Sequence, residues 1–423
     1  MTDGTTTAAG VSRDTTVIVL AGGIVLALAF GVRSVFGGIV QPLSDDLFGG
    51  RIEIFSLSIA IQNLVWGVAQ PGFGLIADKW GDRKALWIGL VCYVAGMAVC
   101  AAGTTPLAQH MGAGVLVGMG VAGTAFGVVL AVIGRAVPED KRTHYLGIAS
   151  AMGSTGQVVL PLFVSWLTEW MDWRMTLLAV TATLIPMVLC IPLLKAKTGP
   201  SAGGGAGAEI DGEALGRTVR RAFGHSSYTL LSAGFFVCGF HLAFITAHFP
   251  NFVQNFCASP ASAAELRALG LQALALAGLA NIVGTLVAAR LGTRFPKPYV
   301  LAAIYALRAV AILAFITLPV TPASVIVFAL AMGGLWLSTV PLTSALVLTM
   351  FGPRAVGTLF GFVFLSHQLG SFAGVWLGGV LFDHYGSYDQ VWDLAIALGV
   401  LSAVAHLLVR ERPAPRPGLA FGE

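Results

Sequence analysis

The chain has 423 residues, of which 56% are hydrophobic and only 10% charged, against about 25% charged in an ordinary soluble domain. Its 24 Lys and Arg nearly balance 20 Asp and Glu, leaving a net charge of +4, which calls for no nucleic-acid partner. A water-soluble enzyme or binding module is excluded on these grounds; the composition is that of an integral membrane protein.

A helix needs about 20 apolar residues to cross roughly 30 Å of hydrocarbon. Twelve runs qualify, over approximately 16–40, 53–77, 85–104, 108–134, 144–168, 174–195, 227–256, 267–290, 298–318, 322–349, 356–382 and 391–409. They are numbered spans 1 to 12. The first 15 residues, MTDGTTTAAGVSRDT, read as a polar tail, and no small-residue cleavage site clearly follows the first run, so no signal peptide is expected. In chain order, span 1 carries Arg33 near its far end, and span 2 carries Gln62 and Asn63. Span 4 contains VLVGMGVAGTAFGVV, a glycine and small-residue stretch that reads as close helix packing. Span 5 carries Gln157 at mid-depth. Between Thr198 and Arg221 comes TGPSAGGGAGAEIDGEALGRTVRR, the candidate boundary. It divides an N-terminal unit (1–197) and a C-terminal unit (225–423) across a linker (198–224), with six spans on each side.

On span 7, His241, His248 and Asn255 recur every seven residues, with Asn251 beside them, and so share one helix face. Asn281 on span 8 and the pair His367–Gln368 on span 11 stand at mid-depth. Arg308 sits about ten residues into span 9, roughly 15 Å of helix rise. Trp336 on span 10 reads equally as a cavity wall or as packing. The five cysteines (Cys92, Cys100, Cys190, Cys238 and Cys257) form no CxxC pair and read as small apolar fillers. No GxxxxGK[ST] loop, metal cluster or catalytic triad is present, so neither an enzyme nor a cofactor is expected.

With the N-terminus inside, inward segments hold 19 of the 24 Lys and Arg, and outward ones hold Arg51, Arg174 and Arg267. The positive-inside rule places both termini in the cytoplasm. Only Arg33 and Arg308 remain within spans, and no carboxylate lies at their depth. An intramembrane charge costs several kcal/mol unless paired or solvated, so uncompensated positive charge favours an anionic substrate. With no acid in the spans, His241, His248 or His367 is the candidate proton carrier, because histidine titrates near neutral pH.

The segment GLIADKWGDRK, between spans 2 and 3, resembles the signature loop of the major facilitator superfamily, Gly-x-Leu-x-Asp-Arg-x-Gly-Arg-Lys/Arg. A shift of 211 residues lays GLIADKWGDR (74–83) over TLVAARLGTR (285–294), as expected for parallel six-helix repeats. The resemblance implies an all-α membrane fold of twelve helices in two pseudo-symmetric six-helix bundles. Gly74 would allow close helix approach and Gly81 a tight turn. Asp78 and Arg83 would latch the halves, with Arg135 as a third member and the start of span 11 as the docking point; Asp82 replaces the motif's second basic residue. FGVRSVFGGIVQPL, GFHLAFITAHFP and FLSHQLGSFAGVWLGGVLFDHYGSYD look like bacterial relatives of the monocarboxylate transporters and the oxalate/formate antiporter. Two features depart from the animal members: Asn281 and Thr285 replace the aspartate–arginine pair of span 8, and the acidic motif of span 1 is missing.

These relatives use a basic residue near the outer end of span 1, which lines the central cavity, so Arg33 is expected to attract substrate. Span 9 is peripheral in such carriers, so Arg308 is expected to bond to carbonyls or side chains of neighbouring helices. The expected substrate-binding set is Arg33, Asn63, Gln157, His241, His248, Asn281, His367 and Gln368. The expected function is transport of a small organic anion, a monocarboxylate first, across the inner membrane by a monomer, with coupling to protons. The alternative is a carrier or exporter of a larger neutral or aromatic metabolite or vitamin.

Overall fold

The computed structural model describes residues 13–194, 212–353 and 355–414. The two tails and linker residues 198–211 lie outside them. Among the described residues, twelve helices are long and apolar enough to cross a membrane: Asp14–Val40, Ile54–Trp80, Asp82–Ala102, Pro106–Ala136, Glu139–Val164 and Trp173–Leu193, then Ser226–Phe256, Ala268–Arg294, Lys297–Thr317, Pro322–Phe351, Val356–Phe382 and Asp389–Leu407. Six precede the linker and six follow it. The charged end of that linker is a helix over Gly212–Phe223.

The helix ends follow local chemistry. Gly81 joins spans 2 and 3 at φ +98°, a conformation that glycine adopts without steric cost. Ser262 and Glu265 form a capping box ahead of span 8, satisfying backbone N–H groups that the first turn leaves unpaired. Span 1 does not stop at residue 40: helix Phe36–Phe48 continues it, so Asp45 and Asp46 lie on a helix instead of in a loop. Asp46 there accepts from Trp173 Nε1 at 3.1 Å and Arg174 Nη1 at 2.9 Å.

Span 10 is broken. Helix Pro322–Leu335 ends and helix Thr339–Phe351 begins after three intervening residues. Pro341 has no N–H to give the Leu337 carbonyl four residues back, so the ladder cannot run through; Val340 N donates to that carbonyl instead at 3.0 Å. The small residues of span 4 pack as the sequence suggests, with a Cβ at Gly118 meeting the Gln62 carbonyl at 2.8 Å and one at Gly120 meeting Tyr93 Cα at 2.7 Å.

The halves meet along two seams. Span 2 packs on span 11, where Pro71 Cα would lie 2.7 Å from a Cβ at Gly361. Span 5 packs on span 8, where a Cβ at Gly292 would lie 3.0 Å from Thr143 Cγ2. Both seams run from the end carrying Asp78 as far as Gly67–Gln368 and Val158–Gly278. Beyond that level the same helix faces carry exposed residues: Ser56 and Ala60 on span 2, Phe372 and Trp376 on span 11, Leu162 on span 5 and Leu271 on span 8. The halves are therefore closed at the Asp78 end and part toward the Asp46 end.

Candidate functional site

At the level where the seams part, Arg33 of span 1 donates through Nη2 to Asn63 Oδ1 of span 2. Its guanidinium lies over the Trp66 ring, 4.9 Å from the centroid. Asn63 and Trp66 are three residues apart and so adjacent on one helix face. Arg33 Nε is buried and has no partner, so a fork with five donors is only partly used. The other half meets this cluster directly: Gln368 Nε2 donates to the Asn63 carbonyl at 3.0 Å, and Phe364 lies 4.6 Å from Trp66, centroid to centroid. His367 stacks on Phe364 at 5.2 Å and bonds through Nδ1 to Gln368 Oε1 at 3.1 Å. His367 Nε2 is buried without a partner.

Four of the eight expected binding residues thus form one constellation: Arg33, Asn63, His367 and Gln368. The others lie elsewhere. Gln157 is half-buried on span 5 and makes no hydrogen bond among the described residues. Asn281 is a junction: its Nδ2 donates to Ser154 Oγ of the other half at 2.7 Å, and its Oδ1 accepts from Leu337 N at 2.8 Å and Thr285 Oγ1 at 3.2 Å. His241 is fully buried and bonds through Nε2 to the Ala395 carbonyl of span 12 at 2.8 Å. His248 bonds to the Val375 carbonyl at 3.0 Å and Tyr388 Oη at 3.3 Å, inside the C-terminal half. The seven-residue repeat on span 7 is real, but it points the histidines into helix–helix contacts within that half.

Arg308, fully buried, bonds as expected to backbone. Nε donates to the Leu335 carbonyl at 3.1 Å, and Nη2 donates to the carbonyls of Leu335 and Trp336. These are carbonyls left free where the first half of span 10 ends, at the negative end of its dipole. The Tyr305 ring lies 5.2 Å from the guanidinium. Trp336 thus contributes its backbone oxygen to this bond network.

At the closed end, Asp78 accepts from Thr358 N at 2.7 Å, Thr358 Oγ1 at 2.9 Å and Gly357 N at 3.3 Å, the first turn of span 11. Arg135 lies 3.6 Å from Asp78, pairs with Asp82 and donates to the Pro353 carbonyl at 3.2 Å. Gly74 lets span 2 touch the span 11 backbone, since a Cβ there would run into the Gly357 carbonyl. Arg83 is exposed and outside this cluster. Asp82, at the position where the signature loop has a basic residue, takes a place beside Arg135 instead. Sequence reasoning missed Trp66, Phe364 and Ser154, and of these only the spacing of Trp66 from Asn63 carried a signal. It named Asp82 as a departure from the motif and the start of span 11 as the docking point, but not the pairing of Asp82 with Arg135 or of Thr358 with Asp78.

A family model described as "Major Facilitator Superfamily" matches residues 22–264 and 231–423. The chain belongs to the major facilitator superfamily. As a member it is a secondary transporter, not an enzyme, and it crosses the membrane twelve times. It is similar to monocarboxylate transporter 13 of Bos taurus, 26% identical over 92% of this chain and 89% of the relative. It is also similar to an uncharacterised MFS-type transporter, YcxA, of Bacillus subtilis, 22% identical over 89% and 90%. Among solved structures, the E. coli fucose:proton symporter FucP superposes with a TM-score of 0.66 at 12% identity, covering 94% of this chain and 100% of that one. The proton:xylose symporter XylE gives 0.68 at 16%, covering 95% and 97%. Both show the same superfamily fold.

Proposed function

We propose that this transporter moves a small monocarboxylate, bound at Arg33 between the two halves. The observation that carries the reading is a guanidinium with unused donors at the level where the seams part, with no carboxylate among its bonded partners. A carboxylate is the planar group that such a fork binds through two parallel bonds. Asn63 and Gln368 would orient it, and Trp66 and Phe364 would border the apolar body. The likeness to monocarboxylate transporter 13 supports this substrate class.

Transport proceeds by alternating access. The Lys and Arg count supports a cytoplasmic placement of the end closed by Asp78, which would make this the outward-facing state of an inner-membrane carrier. Asp78, Arg135 and Asp82 hold that state across the glycine contact at Gly74, with Gly81 setting the turn between spans 2 and 3. Residues 1–197 and 225–423 are the moving units. His367, beside Gln368 and with a free ring nitrogen, is the candidate proton carrier. His241 also leaves a ring nitrogen unpaired, but it and His248 lie inside the C-terminal half, His241 bonded to the Ala395 carbonyl and His248 to Val375 and Tyr388, away from the junction of the halves. The test is uptake of labelled monocarboxylates into proteoliposomes, with and without an inward pH gradient. Uptake stimulated by the gradient and lost in Arg33→Gln supports the reading, and no uptake or competition by any monocarboxylate defeats it.

A further inference from the structure

The closed end carries a second built feature, which the central site does not use. Between span 5 of one half and span 8 of the other lies a pocket of about 330 Å³. Lys141, His144 and Tyr145 line it on the span 5 side, and Arg290 and Arg294 on the span 8 side. Asp140 is its one carboxylate, against three cations that include two guanidinium groups. An adjoining cavity of about 520 Å³ shares Thr293 and Arg294 with it. That one is closer to balance, because Glu139 and Glu411 stand against Arg142, Arg294 and Lys297, and Glu411 pairs with Lys297. The Arg290 and Arg294 side chains are exposed and make no ion pair among the described residues.

The position of the arginines identifies what kind of anion fits. Leu279, Val283 and Val287 on span 8 are 49%, 63% and 52% exposed and recur every four residues, which aligns them on one helix face. Arg290 and Arg294 continue that face at its end. An apolar stripe open to hydrocarbon that ends in paired guanidinium groups matches a phospholipid, with its acyl chain on the stripe and its phosphate at the arginines. A soluble phosphate would have no use for the stripe.

We propose that this pocket binds the headgroup of an anionic phospholipid and that the bound lipid favours the state in which the Asp78 end is closed. The walls belong to different halves and meet at Thr143–Gly292, so the pocket is complete only while that seam is shut. A ligand that binds one state better shifts the population toward it.

The test uses the full chain in nanodiscs of phosphatidylcholine, with or without phosphatidylglycerol. Lipid retention is read by native mass spectrometry, and closure of the Asp78 end by the distance between spin labels at Lys84→Cys and Ser226→Cys in a Cys92→Ser background. The wild type should retain phosphatidylglycerol over phosphatidylcholine and become more closed when it is present. The double variant Arg290→Gln/Arg294→Gln should lose that preference by about fivefold or more and lose the effect on closure. A control that removes two exposed charges elsewhere at the same end, Lys84→Gln/Arg220→Gln, should keep the lipid preference. Equal loss in the control would show a general surface potential and overturn the site. So would wild-type retention in the double variant, displacement by soluble glycerol phosphate, or retention without any effect on closure.

Discussion

Arg33 and Arg308 are both cations inside the membrane, and their surroundings assign them opposite work. Arg308 sets Nε and Nη2 on the carbonyls of Leu335 and Trp336 inside the C-terminal half, with Nη1 left unpaired, whereas Arg33 keeps Nε free at the junction of the halves, beside Asn63 and Trp66. Arg33→Gln should therefore raise KM for a carboxylate about 10- to 100-fold, the worth of a hydrogen bond to a charged group, with an unchanged melting temperature. Arg308→Gln should do the reverse. It strands buried carbonyls at about 1–3 kcal/mol each, so the thermal midpoint in detergent should fall clearly, and Arg308→Lys should recover part of the loss. Subtracting loop charges from the sequence exposed both arginines. Their partners were not legible, because periodicity tells which face a residue occupies and not which helix will pack on it. His241 and His248 show this limit: a correct helical stripe faces spans 12 and 11 of its own half.

The closed end rests on element termini. A carboxylate on span 2, Asp78, takes up N–H groups at the start of span 11, where the helix dipole favours negative charge. Asp78→Asn should weaken that bond by roughly 1–2 kcal/mol. The population should then move about tenfold toward opening at this end, read by the distance between spin labels at Lys84→Cys and Ser226→Cys. Gly74→Leu should have a larger effect, because a side chain cannot share space with the Gly357 carbonyl. It should hold the seam apart even with Asp78 intact. The loop motif made Asp78, Gly74 and Gly81 visible in advance. The exchange of Arg83 for Asp82 around Arg135 was not, since it depends on which side of the turn faces span 4. The break in span 10 was hidden for a related reason. Pro341 marks a weak point, but Asn281 and Arg308, which bind the two broken ends, lie 27 or more residues away along the chain.

Across the whole molecule, twelve spans could be read from composition and apolar run length, because lipid leaves a spanning chain few structural choices; the expectation of two halves came from the linker, the repeated loop and the family resemblance. The junction between the halves is where sequence said least. Asn281–Ser154, Asn63–Gln368 and Asp78–Thr358 each join residues more than 100 positions apart. In the proposed cycle these contacts separate and re-form as the halves rock, and the proposed substrate site and gate both stand on them. The most direct test is uptake of a panel of labelled monocarboxylates, sugars and neutral amino acids into proteoliposomes holding either wild type or Arg33→Gln. The account predicts saturable uptake of at least one monocarboxylate by the wild type, strongly reduced affinity in the variant, and no dependence on Arg33 for any neutral compound. Transport of a neutral compound alone, or equal carboxylate affinity in the two proteins, would contradict it.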